Sequence, residues 1–119
     1  MDIADKYTLK HVVSDKDTAE AIGSGGLPVY ATPAMICLME KTAYMFAASQ
    51  GLQTVGTKVE ISHLRACKPG AEIECNAEVT EIEGRRILFK VTASDEKGII
   101  GEGRHERFVI DPERFMAKL

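Results

Sequence analysis

The sequence has no run of apolar residues that approaches the roughly 20 needed to cross a membrane as a helix. Residues 1–6 lack the basic and apolar regions that a secretory signal peptide requires. Together these two absences predict a protein of the cytoplasm that does not act on a membrane.

Cysteine is scarce, and its spacing is not that of a metal site. Only Cys37, Cys67 and Cys75 are present, an odd number that favours free thiols over a disulfide framework in a cytoplasmic chain. We expect these residues to pack in the interior. We therefore expect neither a metal site nor any other cofactor.

A concentrated excess of positive charge is also lacking. The formal net charge is −3 and the basic residues are scattered, which argues against nucleic acid as the main partner. A phosphorylated small molecule needs only a few local cations. The residues that could supply them are Lys58, Arg65, Lys68, Arg104 and Arg107.

The apolar content, 45% of 119 residues, predicts a single folded domain over residues 1–119. Apolar residues alternate with polar ones in residues 6–14, which predicts a strand. Residues 17–22 can form a short helical turn, and the run from Gly23 to Gly26 then breaks it.

One long helix follows this break. Thr32 is a good N-cap, Pro33 suits the first turn, and Gly51 ends a helix that runs to about Gln50. The helix is apolar on nearly every face, which is typical of a helix that is buried on all sides. A single chain of this size cannot cover every face, so the pattern predicts a homodimer, possibly a tetramer.

The rest of the chain has the period of two that is typical of strands. Strands are predicted over residues 55–63, 72–79, about 86–93 and about 99–110, and a short helical tail follows them. In the last strand, Gly101 and Gly103 indicate a bulge or a close backbone approach. The fold class is therefore α+β, an antiparallel sheet of about five strands with one long helix on one face.

Glu40 is the first candidate for chemistry because it lies in the middle of the apolar helix. Burial of a carboxylate without a partner is costly, so the side chain must pair or change its pKa. A salt bridge or a solvated gap in the helix face would explain Glu40 without any function. The adjacent Lys41 is a poor partner, because neighbouring helical residues point about 100° apart.

His63 and Thr32 are the next candidates. Strand alternation places His63 on one face with Val55, Val59 and Ile61, and Gly56 on the opposite face. An imidazole there can act as an acid or base near neutral pH, or be an ordinary core histidine. Thr32 can be a simple helix cap, or its hydroxyl can serve a site at the helix N-terminus.

Three stretches of the sequence together resemble the fluoroacetyl-CoA thioesterase family, a branch of the hot-dog thioesterases. The resemblance covers about residues 6–119, and its order and spacing make it fairly specific. The stretches are a threonine eight residues before a helix glutamate in TPAMICLME at 32–40, VGT at 55–57 with His63 seven residues after the glycine, and EGRR at 83–86 followed by HERFVI at 105–110.

The resemblance implies a hot-dog fold, in which the sheet wraps round the helix and two copies form acyl sites at their interface. It implies a thioesterase that cleaves a short-chain acyl-CoA into free acid and coenzyme A. The implied catalytic residues are Thr32, Glu40 and His63, and the implied substrate-binding residues are Gly56 and Arg107.

The segment before Thr32, residues 23–31, departs from the family's fluoroacetate-specific member, which has a longer lid with aromatic residues. Here the segment is glycine-rich, and its only aromatic residue is Tyr30, a further candidate for substrate binding. Discrimination for a fluorinated acetyl group is therefore not expected. Whether the segment acts as a lid is left open.

The alternative to this thioesterase is a non-catalytic hot-dog module that binds a small acyl ligand. A hot-dog hydratase usually requires a paired Asp and His at fixed spacing, and the sequence shows no such pair. The implied site also raises a question of geometry, because Thr32 and Glu40 lie about 12 Å apart along a straight helix. Either the chain bends before the helix or two subunits contribute.

Overall fold

The computed structural model describes all residues from Met1 to Leu119. Five strands and three helices follow one another along the chain, with a 3-10 turn at Asp15–Asp17 before the first helix. The elements are β1 (Lys6–Val12), α1 (Ala19–Ile22), α2 (Thr32–Ser49), β2 (Thr54–His63), β3 (Glu72–Glu83), β4 (Arg86–Asp95), β5 (Gly98–Val109) and α3 (Pro112–Ala117).

The long helix α2 has the predicted extent but not the predicted cap. Its N-cap is Ala31, in an extended conformation and without a side-chain hydrogen bond to the helix, while Thr32 is already helical. The expectation that Thr32 caps the helix is therefore wrong. Pro33 lies in the first turn as predicted, and Gly51 follows the helix with φ of 78°.

All pairs in the sheet are antiparallel, in the order β1-β3-β4-β5-β2. Strands β3 and β4 are joined at Gly84, whose φ of 58° suits the tight turn that was predicted there. Strand β2 lies at one edge of the sheet and pairs with β5, whereas β3 lies between β1 and β4. Residues 64–71, which connect β2 to β3, therefore cross over β5 and β4. The predicted turn at 67–70 is part of this crossover.

Helix α2 packs on one face of the sheet and forms the core with it. Met35, Met39 and Phe46 point from the helix to the sheet, and the Phe46 ring lies 6.1 Å from the Phe89 ring between centroids. The start of the helix approaches β5 closely at Gly101, where a Cβ would lie 2.5 Å from the end of the Met35 side chain. The predicted close approach at this glycine is confirmed.

The opposite face of α2 is not covered within one chain. Residues Cys37, Lys41, Tyr44 and Ala48 are exposed, so the expectation of a helix buried on all sides is not met by a single chain. Of the cysteines, Cys67 and Cys75 are buried as predicted, whereas Cys37 lies on this open face, and all three are free thiols. None of the helices has both the length and the apolarity needed to cross a membrane.

Candidate active site

The end of β2 and the start of α2 meet at a hydrogen bond between two predicted site residues. His63 is the last residue of β2, and Thr32 is the first residue of α2. The Thr32 Oγ1 lies 2.7 Å from the His63 Nδ1. Because the Thr32 hydroxyl is not used as a helix cap, it is free to fix the orientation of the imidazole.

The other nitrogen of His63 has no partner. Its Nε2 atom is shielded from solvent within the chain and makes no hydrogen bond. Burial lowers the pKa of the His63 imidazole, so the ring is neutral at pH 7. If the Thr32 hydroxyl donates to Nδ1, Nε2 carries the hydrogen and can donate to a ligand.

An open groove of about 680 Å³ brings four predicted site residues together. Thr32, Glu40, His63 and Tyr30 all line it, and apolar side chains supply much of the remaining wall. These apolar residues include Val29, Ile36 and Leu64. The groove runs along two turns of α2, so Thr32 and Glu40 share it while remaining about 12 Å apart along the helix axis.

Glu40 has a cationic partner, but not its neighbour in sequence. Its Oε2 lies 4.0 Å from the Nη1 of Arg107, and its side chain is 45% exposed. The carboxylate is therefore half-buried at the groove, with one oxygen near a guanidinium and the rest accessible. Such a group can accept a proton from a water molecule or attack a substrate carbon.

Arg107 is buried and held by several groups of the protein. Its side chain is 8% exposed, Nε donates to the Thr54 Oγ1 at 2.7 Å, and Nη2 donates to the Thr54 carbonyl at 3.1 Å. The guanidinium carbon lies 5.7 Å from the centre of the Tyr44 ring. Burial lowers the pKa of Arg107, yet an arginine remains charged at any physiological pH. This cation faces Glu40 and is not one of the residues that line the groove.

Gly56 lies on the helix side of the sheet, opposite to the expectation from strand alternation. The register between β2 and β5 shifts between Gly56 and Lys58, so Thr57 is an extra residue and the parity changes there. A Cβ on Gly56 would lie 3.0 Å from the Glu40 Oε2 and 3.1 Å from the Arg107 Nη1. The absence of a side chain at this position leaves room for the pair.

Tyr30, near the end of the segment 23–31, forms part of the groove wall. It is 2% exposed, its hydroxyl has no hydrogen-bond partner, and its ring stacks 6.3 Å from the His11 ring. Burial raises the pKa of the Tyr30 hydroxyl, so the phenol stays protonated. Within one chain, Tyr30 is a packed wall residue with an unpaired polar tip.

His105 contacts the Arg107 guanidinium and was not among the predicted site residues. It is 1% exposed, its Nδ1 lies 2.8 Å from the Lys58 carbonyl oxygen, and its Nε2 lies 3.1 Å from the Arg107 Nη1. Two signals in the sequence point to it: its place in the HERFVI stretch at 105–110, and the spacing of two from Arg107 along β5, which puts both side chains on one face. No group of three or more His, Cys, Asp or Glu side chains is arranged to hold a metal ion.

The chain is similar to known proteins of one family. Residues 13–113 match the family model described as fluoroacetyl-CoA-specific thioesterase. A fluoroacetyl-CoA thioesterase of Streptantibioticus cattleyicolor is 38% identical over 94 residues, which cover 76% of this chain and 68% of the relative. The chain belongs to the fluoroacetyl-CoA-specific thioesterase family.

Solved structures agree with this family assignment. A crystal structure of the fluoroacetyl-CoA thioesterase FlK superposes with a TM-score of 0.92 at 32% identity, covering 99% of this chain and 94% of that one. A hot-dog-like protein from Thermanaerovibrio acidaminovorans superposes with a TM-score of 0.87 at 21% identity, covering 98% and 88% of the two chains. The predictions of a hot-dog fold, of this thioesterase family and of a thioester hydrolase are confirmed.

Proposed function

We propose that this protein hydrolyses short-chain acyl-CoA thioesters, with Thr32, Glu40 and His63 as its catalytic residues. The observation that carries the proposal is the 2.7 Å contact between Thr32 and His63 on a groove that Glu40 also lines. A hydroxyl, a neutral imidazole and a carboxylate on one groove supply the groups that acyl transfer to water requires.

In the simplest scheme, Glu40 accepts a proton from a water molecule and the resulting hydroxide adds to the thioester carbon. The His63 Nε2–H, set by the Thr32 hydroxyl, stabilises the negative charge on the carbonyl oxygen. Collapse of this intermediate breaks the carbon–sulfur bond and releases the thiolate, which is protonated to coenzyme A. The other product is the free acid.

Glu40 can instead attack the thioester itself, which would form a mixed anhydride that water then cleaves. Its half-exposed carboxylate has an oxygen free for either role. Rapid acid quench during a single turnover, followed by mass spectrometry of the Glu40 peptide, separates the two routes. An acyl adduct on that peptide indicates a nucleophile, and its absence at every time point indicates a base.

We infer that the groove takes a small acyl group. Its apolar wall comes from Val29, Ile36 and Leu64, and the adjoining glycine-rich segment is exposed from Gly23 to Pro28. Tyr30 is the only aromatic residue in that segment. We therefore place acetyl-, propionyl- and similar short acyl-CoA thioesters before fluoroacetyl-CoA as substrates.

We also propose that two chains associate through the open face of α2 and the edge strand β2. The face of α2 with Cys37, Tyr44 and Ala48 is exposed in one chain, and so is Val59 on β2 at 41%. Strand β2 has ten residues and pairs with β5 on one side only. The unpaired backbone groups along its outer edge form a template for pairing with a second copy. Light scattering at micromolar concentration is expected to give a dimer or tetramer, and a stable monomer would contradict this.

We place the protein in the cytoplasm, where coenzyme A thioesters are formed and used. Three free thiols in a small chain fit a reducing compartment. Fractionation of the source cells with antibodies to the protein checks this placement.

The decisive experiment is a thiol-release assay across acyl-CoA chain lengths, from acetyl to octanoyl, with fluoroacetyl-CoA included. The wild-type protein is expected to release coenzyme A fastest from the short chains. Glu40→Gln and His63→Ala are expected to lower kcat by roughly 100-fold or more, the scale of acid–base catalysis. Binding of acyl-CoA without thiol release would instead identify a non-catalytic binding module.

A further inference from the structure

We propose that His105 is a positioning residue that acts on Glu40 through Arg107. This inference rests on the proposed function and adds to it a residue that lies outside the groove. Its basis is a continuous chain of contacts from the Lys58 carbonyl to His105, then to Arg107, and then to Glu40.

The two neighbours of the His105 ring fix its tautomer. A carbonyl oxygen can only accept, so the Nδ1 atom that lies 2.8 Å from the Lys58 carbonyl carries the hydrogen. A guanidinium can only donate, so the Nε2 atom that lies 3.1 Å from the Arg107 Nη1 holds a lone pair. His105 is thus a neutral imidazole that accepts a hydrogen bond from Arg107.

This arrangement fixes the direction in which Arg107 presents its charge. The Nε and Nη2 atoms are held by Thr54, and one hydrogen of Nη1 is held by His105. The same Nη1 atom lies 4.0 Å from the Glu40 Oε2, within the range of a charge pair. The Nη1 atom therefore links the imidazole of His105 to the carboxylate of Glu40, so the position of the carboxylate depends on that of the imidazole.

The three side chains meet where Gly56 has no Cβ. A Cβ there would lie 3.0 Å from the Glu40 Oε2, 3.1 Å from the Arg107 Nη1 and 3.2 Å from the His105 Cε1. These short distances show that Glu40, Arg107 and His105 converge on one small space. A change in His105 is therefore transmitted to Glu40 over a short path.

The surroundings of this cluster contain few other groups that can titrate. Helix α2 presents Glu40 and Tyr44, and β5 presents His105 and Arg107. Strand β2 presents Thr54 and the Lys58 carbonyl, and β4 pairs the apolar Ile87 and Phe89 with Arg107 and His105. Burial lowers the pKa of His105, and the charge of Arg107 acts in the same direction. The hydrogen bond to the Lys58 carbonyl and the charges of Glu40 and Glu106 oppose this only in part, so the ring is neutral at pH 7.

A matched pair of substitutions separates positioning from packing. In His105→Asn the amide can still bond the Lys58 carbonyl but cannot reach Arg107, whereas in His105→Gln the longer side chain can still accept from Arg107. We expect His105→Asn to lower kcat roughly 10- to 100-fold with little change in KM, because small misplacements of a catalytic group are costly.

We expect the kcat of His105→Gln to stay within about threefold of the wild-type value, because its side chain keeps the hydrogen bond from Arg107 that orients the guanidinium. Glu102→Gln, on the exposed outer face of β5, is the control that should leave activity unchanged. Equal losses in both His105 variants would overturn the proposal in favour of packing. A wild-type kcat in His105→Asn would overturn it as well.

A measurement on the wild-type protein keeps the inference testable if either variant fails to fold. Nitrogen NMR of the imidazoles is expected to show His105 with hydrogen on Nδ1 and none on Nε2 between about pH 7 and 8. A ring protonated at Nε2 in that range would overturn the proposal. Failure of the wild-type protein to release coenzyme A would contradict the proposed function alone, because the NMR result does not depend on activity.

Discussion

The hydroxyl of Thr32 lies 2.7 Å from the Nδ1 atom of His63, although 31 residues separate the two in sequence. The contact forms because β2 ends beside the start of α2, and Gly101, which pairs with His63, lets the helix approach the sheet. Thr32 thus contributes to the orientation of an imidazole and not to the capping of its own helix.

Thr32→Ala is expected to lower kcat/KM roughly 10- to 100-fold while Tm changes by less than about 2 °C. The physical reason is that the hydroxyl bonds His63, whereas the helix receives no side-chain cap from this residue. Thiol-release kinetics and thermal unfolding followed by circular dichroism measure the two effects. Thr32→Ser, which keeps the hydroxyl, should retain most activity; a lower Tm with unchanged kinetics would show a structural role only.

Gly56→Ala is expected to reduce kcat/KM by roughly tenfold or more, because the new methyl group displaces the Glu40 carboxylate. Its Cβ would lie 3.0 Å from the Glu40 Oε2, and Arg107 cannot move easily because Thr54 holds it. Stability should fall by about 1 kcal/mol, because crowding of Arg107 and the buried His105 outweighs the smaller loss of chain entropy of alanine relative to glycine. Ser62→Ala, on the opposite face of β2, is the control, and equal kinetics for the two variants would contradict the expectation.

The free energy of unfolding is expected to fall as the pH is lowered from about 7 to 5. Burial lowers the pKa of both His63 and His105 in the folded chain, so the unfolded chain binds more protons in this range. Stability is therefore fully present above the ordinary histidine pKa of about 6.5 and is lost as the pH falls through the folded values. Urea unfolding at several pH values measures this dependence. In His105→Gln the free energy of unfolding should fall less steeply with decreasing pH than in the wild type. An identical pH dependence would argue against His105 as a contributor.

Gly101→Ala is expected to destabilise the fold by about 1–3 kcal/mol, the usual cost of overpacking. The added Cβ would lie 2.5 Å from the Sδ and Cε atoms of Met35, which is fully buried between α2 and the sheet. Chemical denaturation gives the change in unfolding free energy. The double variant Gly101→Ala with Met35→Ala should lose less stability than the sum of the two single variants, whereas additive losses would show that Met35 is not the obstacle.

Alternation and turn chemistry in the sequence were enough to predict nearly every element of the fold. The alternation of residues 72–79 predicts β3, and Gly84 and Gly98 mark the turns around β4 because each has a positive φ. Thr32, Glu40 and His63 could also be selected as candidates, through the resemblance to a thioesterase family. Their spacing along the chain did not show how they meet.

Three features of the site depended on tertiary contacts. The bulge at Thr57 reverses the face of Gly56, and strand alternation cannot reveal an extra residue that only the pairing with β5 defines. Arg107 became the partner of Glu40 because β5 lies beside β2 in the sheet, a pairing that chain order does not predict. His105 gained its role from the same pairing, since its acceptor, the Lys58 carbonyl, belongs to the neighbouring strand.

Local signals along the chain were sufficient to predict the elements and the α+β class, because hydrophobic periodicity and glycine positions act locally, and the motifs indicated the family. Which polar groups share an environment depends on the packing of distant segments, as in the pairing of the Thr32 hydroxyl with His63 and of the Glu40 carboxylate with Arg107 and His105. Hydrogen bonds and charge pairs form over about 3–4 Å, and only the packing of α2 on the sheet brings such distant residues within that range.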